Sequence, residues 1–181
     1  MTSSKTLIAI VGLPASGKST AIESVTEFGP IVIMGDVVRD ETEARTMAPT
    51  PKNIGRVAQS LRKEFGLGII AQRCVEKINS INGSVIFIDG IRSEEEVILF
   101  RKNNSLYVIA ITCPNPVRFN RIKSRGRSDD TIDMDLIRQR DQRELQWGLS
   151  NVIEHADYTI GNDSDKASLQ KKIQNLIQGL I

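Results

Sequence analysis

The sequence predicts an α/β fold in which a five-stranded parallel sheet is covered by helices on both faces, and three observations carry that prediction. First, Gly12-Leu13-Pro14-Ala15-Ser16-Gly17-Lys18-Ser19 meets every fixed position of the phosphate-loop pattern G-x-x-x-x-G-K-[ST], between an apolar run and a stretch of helical spacing. Second, five short apolar runs, partly β-branched, recur along the chain and alternate with segments of helical period. Third, no linker, repeat or low-complexity tract divides the 181 residues, so a single domain with one substantial core accounts for them.

Composition narrows the function classes. A net charge of +2 gives no case for general nucleic-acid binding, although the charge is uneven, with five bases and no acid between Arg118 and Arg127. No apolar run approaches membrane-spanning length, and Met1-Thr2-Ser3-Ser4-Lys5 leads straight into the first strand, so neither a signal peptide nor a membrane partner is expected and the protein is expected in the cytoplasm. Cys74 and Cys113 lie far apart and His155 is single, which is no zinc-site signature; both thiols are expected to be buried.

The elements follow in order. Residues 6–11 form a buried strand, and the loop after it turns at Gly12 and Gly17 so that the backbone from Pro14, Ala15 and Ser16 through Thr20 wraps one anion site at a helix N-terminus, the N–H groups beyond Pro14 pointing at it. There Lys18 is placed to reach the β- and γ-phosphates of a nucleotide, and the Ser19 hydroxyl to complete the shell of a Mg²⁺. Phe28-Gly29-Pro30 stops the helix, and residues 31–34 make a second strand that ends at Gly35-Asp36-Val37-Val38-Arg39. Asp36 and Arg39, three apart, share one face beyond a strand's carboxyl end, the edge at which ligands bind in open α/β sheets.

From Glu41 to Ser80 the pattern is helical, broken at Met47-Ala48-Pro49-Thr50-Pro51 by two prolines. So long an insert, about residues 36–80, reads as a small subdomain able to close over a substrate, with Arg56, Gln59, Arg62 and Arg73 as candidates to face it. Residues 84–89 form the next strand. Asp89 at its end is the expected Mg²⁺ partner, and Arg92 just beyond suits an anionic acceptor. A helix over 93–102 precedes a strand over 106–113 closed by Pro114, after which the basic run Arg118, Arg121, Lys123, Arg125 and Arg127 begins. A helix from about Ile132 to His155 carries Arg138, Arg140 and Arg143, with Trp147 as a core anchor. Residues 156–163 read as a fifth strand and a turn, and 164–177 as a closing helix capped by Ser164.

Taken in this order, the motifs resemble the adenylate-kinase branch of the P-loop (Walker A) kinases over nearly the whole chain. They are the G-x-x-x-x-G-K-S loop, Gly35-Asp36-x-x-Arg39, Asp89-Gly90-x-Arg92, and Arg127-Ser128-Asp129-Asp130 with Arg138. Asp157-Tyr158-x-Ile160-x-Asn162 is also similar to the dephospho-CoA kinases, and the whole looks most like an archaeal adenylate-kinase-related family of unsettled substrate. The resemblance implies a three-layer α/β/α P-loop NTPase fold with a core at 5–35, 84–117 and 156–181, a helical acceptor insert and a short lid at about 118–138. It implies that ATP and Mg²⁺ are bound, with Asn162 beside the base. Arg39 and Arg92, with Asp36, would hold the acceptor, Arg121, Arg125 and Arg127 would form the lid, and Arg127 and Arg138 would close over the reacting phosphates.

Three departures stand out. Met34 occupies the place of a base-touching threonine, and the D-G-[FY]-P-R motif is shortened to Asp89-Gly90-Ile91-Arg92. The lid also lacks the four metal-binding cysteines of some relatives. The expected activity is transfer of the γ-phosphoryl group of ATP to a small nucleotide-like acceptor, a nucleoside monophosphate. One alternative is a dephospho-CoA kinase-like reaction on a ribose hydroxyl, with Asp36 as base; the other is a nucleotide switch that moves a partner.

Overall fold

A computed structural model describes residues 4–125 and 134–181. Among them, five parallel strands form one sheet: β1 (Thr6–Val11), β2 (Ile31–Ile33), β3 (Val85–Asp89), β4 (Ser105–Thr112) and β5 (Tyr158–Gly161), in the order β2-β3-β1-β4-β5. The centre is β1, with Ile10 in register with Asp89 on one side and with Ile109 on the other. Its alternating side chains divide the core, as a period of two requires. Leu7, Ala9 and Val11 pack into one half, Ile8 and Ile10 into the other, and all five are fully buried.

Helices α1 (Lys18–Glu23) and α9 (Lys166–Gln178) cover the second half through Ala21, Ile22, Leu169, Ile173 and Ile177. The first half is covered by α2 (Met34–Ala44), α3 (Pro51–Phe65), α4 (Ile69–Ser80), α5 (Glu94–Arg101) and α8 (Leu149–Glu154). Two further helices, α6 (Asn115–Arg125) and α7 (Met134–Gln146), lie between β4 and α8 in the chain. Three layers result, as expected.

The expected helical insert is a three-helix unit. The break between α2 and α3 falls where prolines forbid a helix, and Thr50 caps α3 by accepting from the Asn53 N–H at 3.2 Å, with Pro51 in the first turn. Its far end is tied down by Lys5, whose Nζ donates to the carbonyls of Ile78 (2.6 Å) and Ile81 (2.5 Å) where α4 ends.

Several boundaries differ from the sequence reading. Strand β2 stops at Ile33, so Met34 opens α2 and Asp36 sits in its first turn, where an acid suits the helix dipole. The single helix expected from 132 to 155 is two, because Gly148 takes φ 103° and turns the chain between α7 and α8. The cap of α9 is Asp165 instead of Ser164: its carboxylate accepts from the Ser168 N–H at 2.9 Å. Cys74 is buried and its thiol is pushed up to about 12, chiefly by that burial, whereas Cys113 is only half-buried. Among the described residues no helix is long and apolar enough to cross a membrane, and none of their His, Cys, Asp and Glu side chains group as a metal site.

Candidate phosphate-binding site

Two glycines shape the loop between β1 and α1. Gly12 has φ 149°, and a Cβ there would stand 2.5 Å from the Ile111 carbonyl of β4. At Gly17, with φ 117°, a Cβ would fall 2.1 Å from Asn162 Nδ2. Neither position admits a side chain, so the loop lies directly on the ends of β4 and β5.

The loop's carbonyls are drawn away by donors from four parts of the chain. Lys18 Nζ donates to Gly12 O (2.7 Å) and Leu13 O (3.1 Å), and the Ser16 N–H also donates to Leu13 O at 3.1 Å. Arg118 Nη1 donates to Pro14 O at 2.6 Å, and Asn162 Nδ2 to Ser16 O at 2.7 Å. Arg118 is 1% exposed on α6; its guanidinium also pairs with Asp141 of α7 and donates to Asn115 Oδ1. Asn162 is fixed in turn by its own N–H on Thr112 O at 2.8 Å. With these carbonyls engaged by donors of the chain itself, the loop suits an anionic ligand. The Ser16 hydroxyl, buried within it, has no hydrogen-bond partner.

Charge gathers at the same edge. Burial, then the Arg92 charge, brings the Lys18 ammonium down to about 8; Glu144 and Asp89 pull it back up, and Arg140 pushes it lower. These four groups therefore lie within electrostatic reach of Lys18. Glu144, on α7, has its Oε2 3.1 Å from Arg92 Nε and its Oε1 accepting from Arg140 Nε at 3.2 Å. Burial alone would raise this carboxyl, but Arg92, Arg140 and Lys18 outweigh it and hold it below the usual carboxylate range.

The other expected site residues are placed as follows. Ser19 is exposed and Thr20 half-buried at the start of α1. Asp36 and Arg39 form an ion pair at the surface of α2. Arg121 reaches β5, donating to Asn162 Oδ1 and Ser164 O at 3.3 Å each, and bonds Cys113 Sγ. Arg138 is 64% exposed and pairs with Asp135, while Arg140, two positions on, shares Glu144 with Arg92. Arg127 and the Arg125 side chain lie outside the described residues.

One expectation for the insert is corrected. Arg62 does not face a substrate space: it is buried against Glu96 of α5 at 2.8 Å, over the Trp147 ring at 4.2 Å. Burial pushes Glu96 up in spite of Arg62, and its other oxygen accepts from the Arg92 N–H at 2.6 Å. Likewise Arg73 pairs with Glu41 at 2.7 Å, and Trp147 sits at the margin of the core, under two guanidiniums. The sequence reading passed over Glu96, Asp141 and Glu144, and took Arg118 only as one of a basic run. The only sequence signal for Glu144 was its i, i+4 spacing from Arg140, which ordinarily marks a solvated pair.

A glycine-shaped loop ending the central strand of a β2-β3-β1-β4-β5 sheet, with a lysine inside it and an aspartate ending the adjacent strand, defines a nucleotide-binding P-loop fold. Residues 8–147 match the family described as AAA domain. The chain belongs to the UPF0200 family. It is 39% identical to the UPF0200 protein of Methanosarcina mazei, over 97% of this chain and 95% of that one. It is 43% identical to the UPF0200/UPF0201 protein of Archaeoglobus fulgidus over 94% of this chain, which spans only 54% of that longer relative. Two solved structures share the fold at low identity. A Thermus thermophilus protein aligns at a TM-score of 0.67 with 15% identity, covering 98% of this chain and 99% of that one. The shikimate kinase of Acinetobacter baumannii aligns at 0.60 with 14% identity, covering 98% and 95%.

Proposed function

We propose that this protein is an ATP- and Mg²⁺-dependent kinase that transfers a γ-phosphoryl group to a nucleoside monophosphate. The observation that carries the reading is the gathering of Lys18, Arg92 and Arg140 within electrostatic reach of one another beside the glycine-shaped loop. Three cations against the two carboxylates Asp89 and Glu144 give the site an excess of positive charge, which suits an anionic ligand.

The residues fit such a ligand. The Ser16 hydroxyl is buried without a partner, and the cradle at Gly12 and Gly17 leaves no room for side chains. The loop and Lys18 would hold the triphosphate, while Ser19 and Asp89 would hold Mg²⁺, which when bound neutralises phosphate charge. Lys18 exchanges its carbonyl partners for phosphate oxygens, and Arg92 and Arg140 stabilise charge on the group in transfer. Asp36 and Arg39 pair on the accessible surface of α2, just beyond β2, and an acceptor phosphate would there meet Arg39. An acceptor phosphate is already ionised at neutral pH and needs no base, so catalysis rests on position and charge. The test is a screen of nucleoside monophosphates with ATP and Mg²⁺, reading both ADP and phosphorylated acceptor. ADP formation that no acceptor stimulates would overturn the reading.

A hydroxyl acceptor is the second reading, favoured by the accessible carboxylate of Asp36 and by the fold shared with a shikimate kinase. Asp36→Asn decides between them. Loss of a base lowers kcat about 10²–10⁴-fold, whereas a phosphate acceptor predicts a loss on the order of tenfold through disordered Arg39.

A further inference from the structure

A single buried carboxylate lies between two arginines: it accepts a hydrogen bond from Arg140 Nε at 3.2 Å and faces Arg92 Nε at 3.1 Å as a charge pair, that second oxygen having no hydrogen-bond donor of its own among the described residues. The side chain of Glu144 is 5% exposed; its two oxygens lie against Arg92 Nε, from the loop after β3, and Arg140 Nε, one turn earlier on α7. An arginine held at Nε keeps its two terminal nitrogens, a planar fork, for another anion. Among the described residues those nitrogens make one hydrogen bond, from Arg92 Nη1 to Ile91 O at 3.0 Å. Arg92 is 14% exposed and Arg140 45%, so one fork is set deep and the other is accessible to solvent.

Electrostatics explains the arrangement. Arg92 and Arg140 both disfavour the charge on Lys18, and a buried guanidinium without a counter-charge is costly. Glu144 permits the three to share a site before any ligand arrives. It also removes the freedom of both arginines, so that an incoming anion meets forks already oriented.

We infer that Glu144 is a positioning residue that yokes Arg92 and Arg140 into one anion clamp beside Lys18, and that the clamp takes the terminal phosphates of a polyphosphate nucleotide. The inference rests on the proposed site being a triphosphate site and not on the transfer reaction. In this assignment the arginine of α7 that acts on phosphate is Arg140, presented through Glu144.

Calorimetric titration with ATP·Mg²⁺, inorganic tripolyphosphate and AMP, on wild type, Glu144→Gln, Arg140→Lys, Arg140→Gln and the double variant Glu144→Gln/Arg140→Gln, tests it. Glu144→Gln and Arg140→Gln each should weaken tripolyphosphate and ATP by about tenfold or more, with AMP changed less than threefold. Because the two act as one unit, the double variant should be within about threefold of the weaker single. Arg140→Lys keeps the charge at an accessible position but has no fork, and should behave as Arg140→Gln. Unchanged or tighter tripolyphosphate binding by Glu144→Gln would mean that the carboxylate competes with the ligand, and overturns the inference. So would wild-type affinity in Arg140→Lys, or losses that simply add in the double variant. Should Glu144→Gln fail to fold, the Arg140 pair still decides, since that side chain is half-exposed. Binding is the readout, so a failure to phosphorylate any acceptor counts against the kinase reading alone.

Discussion

Lys18 concentrates the chemistry of the site at the scale of one residue. Its ammonium is held on two carbonyls of its own loop, and burial with the Arg92 charge brings it down to about 8. Lys18→Ala should leave a folded protein and lower the rate of phosphoryl transfer about 10²–10³-fold, the usual cost of one donor aimed at developing charge. Near-normal kcat in a steady-state assay would remove Lys18 from the chemistry. The lowered value also makes a proton prediction. Above pH 8 the free site has largely lost the Lys18 proton, and an arriving polyphosphate restores it, so binding takes up a proton at pH 9 and none at pH 6.5. Calorimetry in buffers of different ionisation enthalpy measures this directly. For folding the sign is opposite. Between about 8 and 10.5 the unfolded chain holds the Lys18 proton and the folded one does not, so this residue's penalty, full below 8, is relieved as pH rises.

Among the elements, α6 and α7 act on the loop through one side chain. Arg118 links Pro14 O to Asp141, so the loop is braced by helices from the other end of the domain's sequence. Arg118→Met leaves the half-buried Asp141 carboxylate and the Pro14 carbonyl without their donor, and should cost about 2–4 kcal/mol in urea unfolding. Arg118→Met/Asp141→Leu should recover part of that stability but not the nucleotide affinity, because Pro14 O stays unbraced. Recovery of both would show that the brace serves folding only. This link also marks the limit of what the sequence disclosed. The loop, its strand and its helix are contiguous, and a pattern of fixed spacing revealed them. Arg118 lies 104 residues from Pro14, and Asp141 23 from Arg118, separations at which no local period operates. The division between α7 and α8 was hidden for another reason. Apolar spacing runs on through Trp147, and only the positive φ at Gly148 ends the helix.

Across the whole molecule, three parts meet at Glu96. Its carboxylate takes Arg62 from α3 and the backbone N–H of Arg92 from the β3 loop, while Trp147 of the α7–α8 turn lies under Arg62. The insert, the sheet edge and the last helices are thereby joined in one buried polar network, which composition and periodicity could not disclose because Arg62 lies on a helix that reads as an ordinary amphipathic one. Glu96→Ala should cost about 3–5 kcal/mol and also weaken nucleotide binding through Arg92. Arg73→Ala removes an ion pair of similar length, with Glu41, from a part-exposed place and should cost no more than about 1 kcal/mol. Equal losses in thermal or urea unfolding would contradict this account of where the network's stability resides.

The Lys5 ammonium, seated on the last carbonyls of α4, has a mechanical consequence. It stands at the foot of β1, the end of the sheet away from the phosphate loop, and pins the return of the insert there. A helix of twelve residues is about 18 Å long, and its other end is seated as well, since a Cβ at Gly68 would stand 2.6 Å from Leu99 Cδ1 of α5. The last helix of the insert is in this sense a strut between two seats, Lys5 at the foot of β1 and Leu99 on α5.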